Sequence, residues 1–180
     1  MQQRSGGPSA AAVLAVAGGL MMVLGSLASW ADAGVPGFTA VPWKGGVIRW
    51  LVLLAGAAVA GVGVASLSGS PLGRYLTAAT LGGGLAAGLL ASAVALTLDG
   101  RVADDVTAFY MRQLAMSAAE ARALVGGAID SGQLSVTPAV GLLAVIAGSF
   151  IVVVAGMLAR MWAGRAAVFG AAGPPDGPTV

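Results

Sequence analysis

The sequence predicts an all-α membrane protein, a bundle of four transmembrane helices with an extracytoplasmic helical hairpin between the third and fourth spans. Apolar residues make up 58% of the 180 positions and charged residues only 9%. So few charges cannot cover the surface of a soluble domain of this length. The apolar residues are concentrated in four stretches, each long enough to cross the roughly 30 Å hydrocarbon core of a bilayer. Lipid is therefore the expected solvent for most of the chain.

The four spans have no charged residue in their central parts. They cover residues 10–30, 47–67, 76–98 and 139–160. Aromatic residues near the span ends form two groups, as in the aromatic belts of membrane proteins. Trp30, Trp43 and Trp50 are assigned to one interface, and Tyr75 and Trp162 to the other.

A cleavable signal peptide is the alternative interpretation of the first span. Arg4 precedes the span, and Ala31-Asp32-Ala33 has the small-residue pattern of a cleavage site. The apolar run is longer than the roughly 7–15 residues that are usual for the core of a signal peptide. We therefore expect the first span to remain uncleaved, which gives an even number of spans and places both termini on the same side of the membrane.

The basic residues divide nearly evenly between the two faces of the membrane. One face carries Arg4, Arg74, Arg160 and Arg165, and the other carries Lys44, Arg49, Arg101, Arg112 and Arg122. The second face includes a long polar segment, and long segments count for less in the positive-inside rule. We therefore expect a multi-pass protein of the cell (plasma) membrane with both termini in the cytoplasm. Cytoplasmic tails, residues 1–9 and a disordered segment 169–180, flank the transmembrane domain of residues 10–168.

Small side chains recur along one face of two spans, and such faces let neighbouring helices approach closely. In the third span the small residues are Thr80, Gly84, Gly88 and Ser92. In the second span the corresponding stripe is Ala57, Gly61 and Ala65. We expect these residues to pack helices together within one chain, with packing between chains as the alternative.

The segment between the third and fourth spans, residues 99–137, is polar enough to leave the membrane. Two apolar stripes at helical spacing predict two short amphipathic helices within residues 101–132. Ser117 and Glu120 predict a capping box at the start of the second helix. The apolar faces need a cover, which is the other helix, the membrane interface or a partner protein. The candidate partner surface is Val106, Phe109, Tyr110, Leu124, Val125 and Ile129.

The shorter loop on the same face, residues 31–46, is rich in Pro and Gly. Such a composition argues against a helix. We expect turns or a small extended hairpin there.

Cysteine and histidine are both absent from the chain, which excludes disulfides, thiolate chemistry, imidazole metal sites and histidine acid–base catalysis. Asp104 and Asp105 are adjacent, and neighbours on a helix diverge by about 100°, so they form neither a catalytic dyad nor a metal clamp. The sequence has no motif for phosphate binding, a nucleophilic serine or haem ligation. We predict no catalytic, cofactor-binding or metal-binding residue. A net charge of +2 is too small for a nucleic-acid partner.

Three stretches at the span ends carry a resemblance to a known group of proteins. They are residues 25–30 (Gly-Ser-Leu-Ala-Ser-Trp), 46–50 (Gly-Val-Ile-Arg-Trp) and 135–141 (Ser-Val-Thr-Pro-Ala-Val-Gly). With these stretches and its four spans, the chain resembles uncharacterised small four-pass membrane proteins of GC-rich actinobacteria. The resemblance implies a topology and transfers no functional residue.

Two functional hypotheses fit these observations. The first is a non-enzymatic structural or accessory subunit that assembles with a larger cell-envelope, transport or respiratory complex. The alternative is a transport or channel component that acts as an oligomer. Charged residues at mid-membrane would favour this alternative, and the spans contain none there. An enzyme acting on lipid comes third, with Asp104, Asp105 and Arg112 as its candidate groups. The expected partners are the lipid bilayer and either another membrane protein or further copies of the chain.

Overall fold

The computed structural model describes residues 6–34 and 41–171, with side chains described for residues 9–34 and 42–165. The helices in these ranges are α1 (Gly6–Leu27), α2 (Ile48–Leu67), α3 (Leu76–Leu96), α4 (Leu98–Gln113), α5 (Ala118–Asp130) and α6 (Val140–Ala171). The strands are β1 (Ala31–Gly34), β2 (Val41–Trp43) and β3 (Ser135–Pro138). A short 3₁₀ turn, Pro71–Tyr75, joins α2 to α3.

Four of these helical segments are long and apolar enough to cross a membrane. They are Ser9–Leu27, Ile48–Leu67, Pro71–Leu96 and Val140–Arg165. The predicted fold class is therefore confirmed at the level of a mainly helical, multi-pass membrane protein with four spans. The three short strands were not part of that prediction.

Both predicted tails overlap with helix in the structure. α1 begins at Gly6, and Pro8 is tolerated there because N–H groups of the first helical turn have no partner within the helix. α6 continues to Ala171, because the stretch before that residue is rich in Ala, which favours helix. The remaining parts of the predicted tails, residues 1–5 and 172–180, lie outside the described residues.

The four spans form a ring in which each helix runs antiparallel to its two neighbours. α1 contacts α2 and α6, and α3 closes the ring by contacting α2 and α6 from the other side. The α1–α6 contact is the most extensive, and glycines make it possible. A Cβ on Gly148 would lie 2.8 Å from the backbone oxygen of Gly18, and a Cβ on Gly25 would lie 2.7 Å from that of Gly141. Helices can approach this closely only where side chains are absent or very small.

The small residues of the third span lie along the contact between α3 and α6. Thr80 and Gly84 are buried, and a Cβ on Gly84 would lie 3.2 Å from the backbone oxygen of Ser149. Gly88 is half-buried, with its Cβ position 3.4 Å from the Ser149 Cβ. Ser92, the last residue of the stripe, is exposed. Three of the four residues therefore lie on the face that packs within the chain.

The stripe predicted for the second span lies on the wrong face of α2 for packing within the chain. Ala57 and Gly61 are exposed, Ala65 is half-buried, and a Cβ on Gly61 would meet no atom within 4 Å. α2 instead approaches α1 through Gly56 and Gly63, which are both buried. The physical reason is that α2 is apolar on all sides and carries small residues on two faces, so hydropathy does not distinguish the core face from the lipid face.

One end of the bundle carries the sheet and the helix pair α4–α5, and we call it the cap end. In the antiparallel sheet, β1 lies between β2 and β3. Trp30, just before β1, is fully buried. Its backbone N–H donates to the backbone oxygen of Trp43 at 2.8 Å, and its backbone carbonyl accepts from the Ala139 N–H at 3.0 Å. The sheet therefore connects the end of α1 with the start of α6.

The pairing of β1 with β2 matches one of the two structures expected for the loop between the first two spans, the small extended hairpin. The centre of that loop, residues 35–40, lies outside the described residues. β3 was not predicted. It has only four residues, and its partner strand lies far upstream in the sequence, so no local pattern indicates the pairing.

Candidate functional site

The helix pair α4–α5 packs on the cap end of the bundle as part of the same core. Leu98 and Val102 of α4 are buried, and so is Val125 of α5. These three side chains belong to the hydrophobic cluster that also contains Trp30. Burial of apolar side chains contributes about 25 cal/mol per Å² removed from water. The core of the spans therefore also fixes the position of α4 and α5.

The start of α5 is fixed by the predicted capping box. The Glu120 N–H donates to the Ser117 hydroxyl oxygen at 3.3 Å, and the Ser117 N–H donates to the Glu120 carboxylate at 3.0 Å. The Ser117 hydroxyl also donates to this carboxylate, at 2.7 Å. These hydrogen bonds lower the pKa of Glu120. The hydrogen bond from the Ser117 side chain has the larger effect, and that from the Ser117 backbone has the smaller one. Just before the box, Ala115 has a positive φ of 50°, a conformation that costs energy for a residue with a Cβ.

A hydrogen bond joins the sheet to α4. The indole N–H of Trp43, in β2, donates to the Asp105 carboxylate at 2.6 Å. Asp105 is exposed, and this hydrogen bond gives it a partner 62 positions away in sequence. A charge-assisted bond of this kind is stronger than one between neutral groups. It fixes the orientation of α4 relative to the sheet.

An apolar recess of about 460 Å³ opens between α4, α5 and the loop that leads to β3. The side chains that form most of its wall are Val106, Tyr110, Leu124, Val125, Ala128 and Leu134. The backbone N–H of Leu134 donates to the Ala128 oxygen at 2.8 Å, which holds the loop against α5. None of the described residues that line the wall is charged. The recess therefore suits an apolar occupant.

The structure divides the candidate partner surface into two sets. Val106, Tyr110, Leu124 and Val125 line the recess. Phe109 and Ile129 do not line it and are 55% and 39% exposed. We call this second pair the rim.

The recess-lining set also differs in accessibility. Val125 is only 3% exposed, whereas Leu124 is 53% exposed. The Phe109 and Tyr110 rings meet edge to face, with their centroids 6.0 Å apart. The rim, Leu124 and Tyr110 are thus open to a ligand, and Val125 belongs to the core.

The two ends of the bundle differ in charge. At the end opposite the cap, which we call the turn end, the described charged side chains are Arg74, Arg160 and Arg165, and all three are positive. At the cap end there are five basic and six acidic side chains in the described part of the chain. The turn end is therefore basic, and the cap end has a slight excess of negative charge.

Polar groups inside the bundle are satisfied within their own helices. The hydroxyls of Ser26, Thr80 and Ser149 each donate to the backbone oxygen four residues earlier, at 2.6, 2.7 and 2.8 Å. No cluster of His, Cys, Asp or Glu that could hold a metal ion occurs within the described ranges. Arg112, considered above for lipid chemistry, donates from Nε to the Ala108 oxygen at 3.1 Å. The bundle interior thus offers packing contacts, and the cap end offers the accessible apolar surface.

No protein-family model matches the chain, and comparison with curated proteins and with solved structures gives no match.

Proposed function

We propose that the chain is a non-enzymatic structural or accessory subunit that docks through its cap end onto a larger cell-envelope, transport or respiratory complex. One observation carries this proposal. Large apolar side chains outside the four spans are exposed on α4 and α5, among them Phe109 at 55% and Leu124 at 53%. Exposed apolar patches on a folded surface are typical of sites that bind another protein or a membrane.

The rim provides a direct test of the docking surface. Phe109→Ser with Ile129→Ser removes apolar area from a surface that supports none of the spans, so the bundle should stay inserted while a partner is released. Gln113→Ser, at an exposed polar position of the same helix, is the matched control. The measurement is mild-detergent purification of the tagged protein, with quantification of co-purifying chains. A stoichiometric partner retained equally by both variants would contradict docking through the rim.

We further propose that the cap end is extracytoplasmic and that both termini are cytoplasmic. The described charged side chains at the turn end are all basic, which supports this orientation, because basic residues close to the spans are enriched on the cytoplasmic side. The chain contains no cysteine, so single cysteines report accessibility without background. An impermeant maleimide on intact cells should label Ser131→Cys, at the cap end, and leave Ser68→Cys, at the turn end, unlabelled until the cells are opened. The reverse pattern would overturn the orientation.

The uncleaved first span has structural support as well. Cleavage after Ala33 would remove α1, which contacts both α2 and α6, and would divide the central strand β1. Ala31 and Ala33 are both buried within this sheet. We infer that the mature protein retains α1. N-terminal sequencing of the purified protein would refute this inference if it began at residue 34.

An oligomeric transport or channel component is the second candidate. The observation that favours it is the open face of α2, where Ala57 and Gly61 are exposed and a Cβ on Gly61 would meet no atom. Small residues on an exposed helix face permit close packing against a second helix in a membrane. If copies associate through this face, Ala57→Cys should form disulfide-linked dimers in native membranes, and Ala86→Cys, on an exposed part of α3, should not.

A further inference from the structure

The recess between α4 and α5 is distinct from the rim and needs its own explanation. Val106, Leu124 and Ala128 contribute apolar side chains to its wall, and no charged residue in the described part of the chain contributes to it. A volume of about 460 Å³ falls within the range of roughly 300–1,000 Å³ that is usual for small-molecule sites. We propose that this recess binds an acyl chain of a bilayer lipid.

The absence of charge in the lining restricts the occupant. A charged ligand would lose its hydration there without an ionic partner, which is unfavourable. The side chains of the lining with hydrogen-bonding groups are Tyr110 and Gln133. A few polar groups on an otherwise apolar wall are the composition typical of sites for largely apolar ligands. An acyl chain satisfies this requirement, and an ester or headgroup at its end could use the polar groups.

The recess is formed by segments that adjoin two of the candidate spans in sequence. α4 begins at Leu98, directly after the third span, whose last residue, Leu96, is 88% exposed. Val106 follows Leu98 by eight residues, so it lies within about 12 Å of the start of α4 at the helical rise per residue. Leu134, on the other side of the recess, comes shortly before α6, which begins at Val140. Lipid is therefore the apolar ligand that is present at high local concentration on both sides.

Two glycines of α5 offer a matched pair for the test. Gly127 lines the recess and Gly126 does not. A Cβ at either position would meet no atom within 4 Å. Gly127→Leu should therefore narrow the recess without disturbing the backbone. Gly126→Leu should make the same change in helix propensity and leave the recess open.

The probe is a phosphatidylcholine with a photoreactive diazirine in its acyl chain, added in trace amount to nanodiscs of phosphatidylglycerol and phosphatidylethanolamine that contain the full-length protein. After photolysis, labelled peptides are identified by mass spectrometry. We expect the peptides that contain Leu124, Ala128 or Leu134 to be labelled in the wild type and in Gly126→Leu. Labelling of these peptides should fall about tenfold in Gly127→Leu, because the added side chain overlaps the space that the acyl chain needs. Labelling of the spans should be equal in all three proteins and shows that each is inserted and folded.

Three results would overturn the proposal. The first is labelling confined to the spans in the wild type. The second is equal labelling of α5 in Gly127→Leu and Gly126→Leu, which would show that the cap end merely touches the bilayer surface. The third is an unlabelled recess together with chemical cross-links from α5 to a second copy or another protein, which would identify a protein occupant. Each result is independent of the docking test on the rim, because neither glycine belongs to the rim.

Discussion

Gly148 lies at one of the close approaches of α1 and α6, and Gly148→Ala is the smallest change that tests this contact. A Cβ at this position would lie 2.8 Å from the Gly18 backbone oxygen and 3.0 Å from the Met22 backbone nitrogen, whereas ordinary contacts begin at 3.4 Å. Both atoms belong to the backbone of α1 and cannot rotate away. The two helices therefore have to separate along their whole contact, and overpacking of this kind costs about 1–3 kcal/mol.

Gly61→Ala is the matched control, because it makes the same chemical change on a face where a Cβ would meet no atom within 4 Å. Replacing Gly by Ala within a helix stabilises it by up to about 1 kcal/mol. This gain applies to both variants and cancels in their difference. The free energy of unfolding of Gly148→Ala should therefore lie below that of Gly61→Ala by the overpacking cost, about 1–3 kcal/mol.

Reversible unfolding in mixed micelles of a mild detergent and dodecyl sulfate gives the free energies of unfolding, with helix content followed by circular dichroism. Gly61→Ala should be as stable as the wild type or slightly more stable. Equal stability of Gly148→Ala and Gly61→Ala would refute the reasoning, because it would mean that the α1–α6 contact is looser than the structure has it.

Three smaller perturbations test the cap end. Asp105→Ala should weaken the attachment of α4 to β2 by about 1 kcal/mol and speed proteolysis between α4 and α5. Adding Trp43→Phe to this variant should have no further effect. Additive effects of the two substitutions would show that the hydrogen bond is not the link. Ser117→Ala should destabilise α5 by about 1 kcal/mol. Ser117 lowers the pKa of Glu120 below its ordinary value of 4.5. The contribution of the ionised carboxylate to stability should therefore be complete above pH 4.5 and be lost as the pH falls through the lowered pKa. The difference in stability between the wild type and Ser117→Ala should accordingly shrink in acid. Ala115→Gly should be neutral or stabilising and Ala115→Val destabilising, since only glycine adopts a φ of 50° without a penalty of about 1–2 kcal/mol. If Ala115→Val were more stable than Ala115→Gly, the backbone at this position would not be strained.

The features that could be predicted from sequence are those with a local signal. Four apolar stretches of sufficient length predict four spans, because length and hydropathy are the only requirements for crossing a bilayer. The capping box at Ser117 and Glu120 is readable because its two partners are three residues apart. The sequence predicts only in part which residues of the apolar stripes are buried. Helical periodicity assigns Val125 and Leu124 to the same stripe, and only the structure shows that Val125 is buried and Leu124 is exposed.

The features that could not be predicted depend on contacts between distant parts of the chain. Trp43 and Asp105 are 62 positions apart, and neither has a sequence context that indicates the other. In water the packing face of a helix is the apolar one, but every face of α2 is apolar, so the choice between Gly61 and Gly56 is made by the shape of α1 rather than by hydropathy. The recess has the same origin. Its wall combines residues of α4, α5 and the loop before β3, and only the folded arrangement brings these together.

The most extensive contact of the bundle joins its first and last spans, α1 and α6, and the formation of the cap end is coupled to this contact. The α1–α6 contact can form only after α6 has entered the membrane, because contacts between distant segments need the whole intervening chain. β3 directly precedes α6 and pairs with β1, which directly follows α1. The sheet and the α1–α6 contact are therefore completed by the same segment. Leu134, which closes the recess, comes immediately before β3. The integrity of the cap end thus depends on the glycine contacts inside the bundle, although α4 and α5 themselves lie outside it.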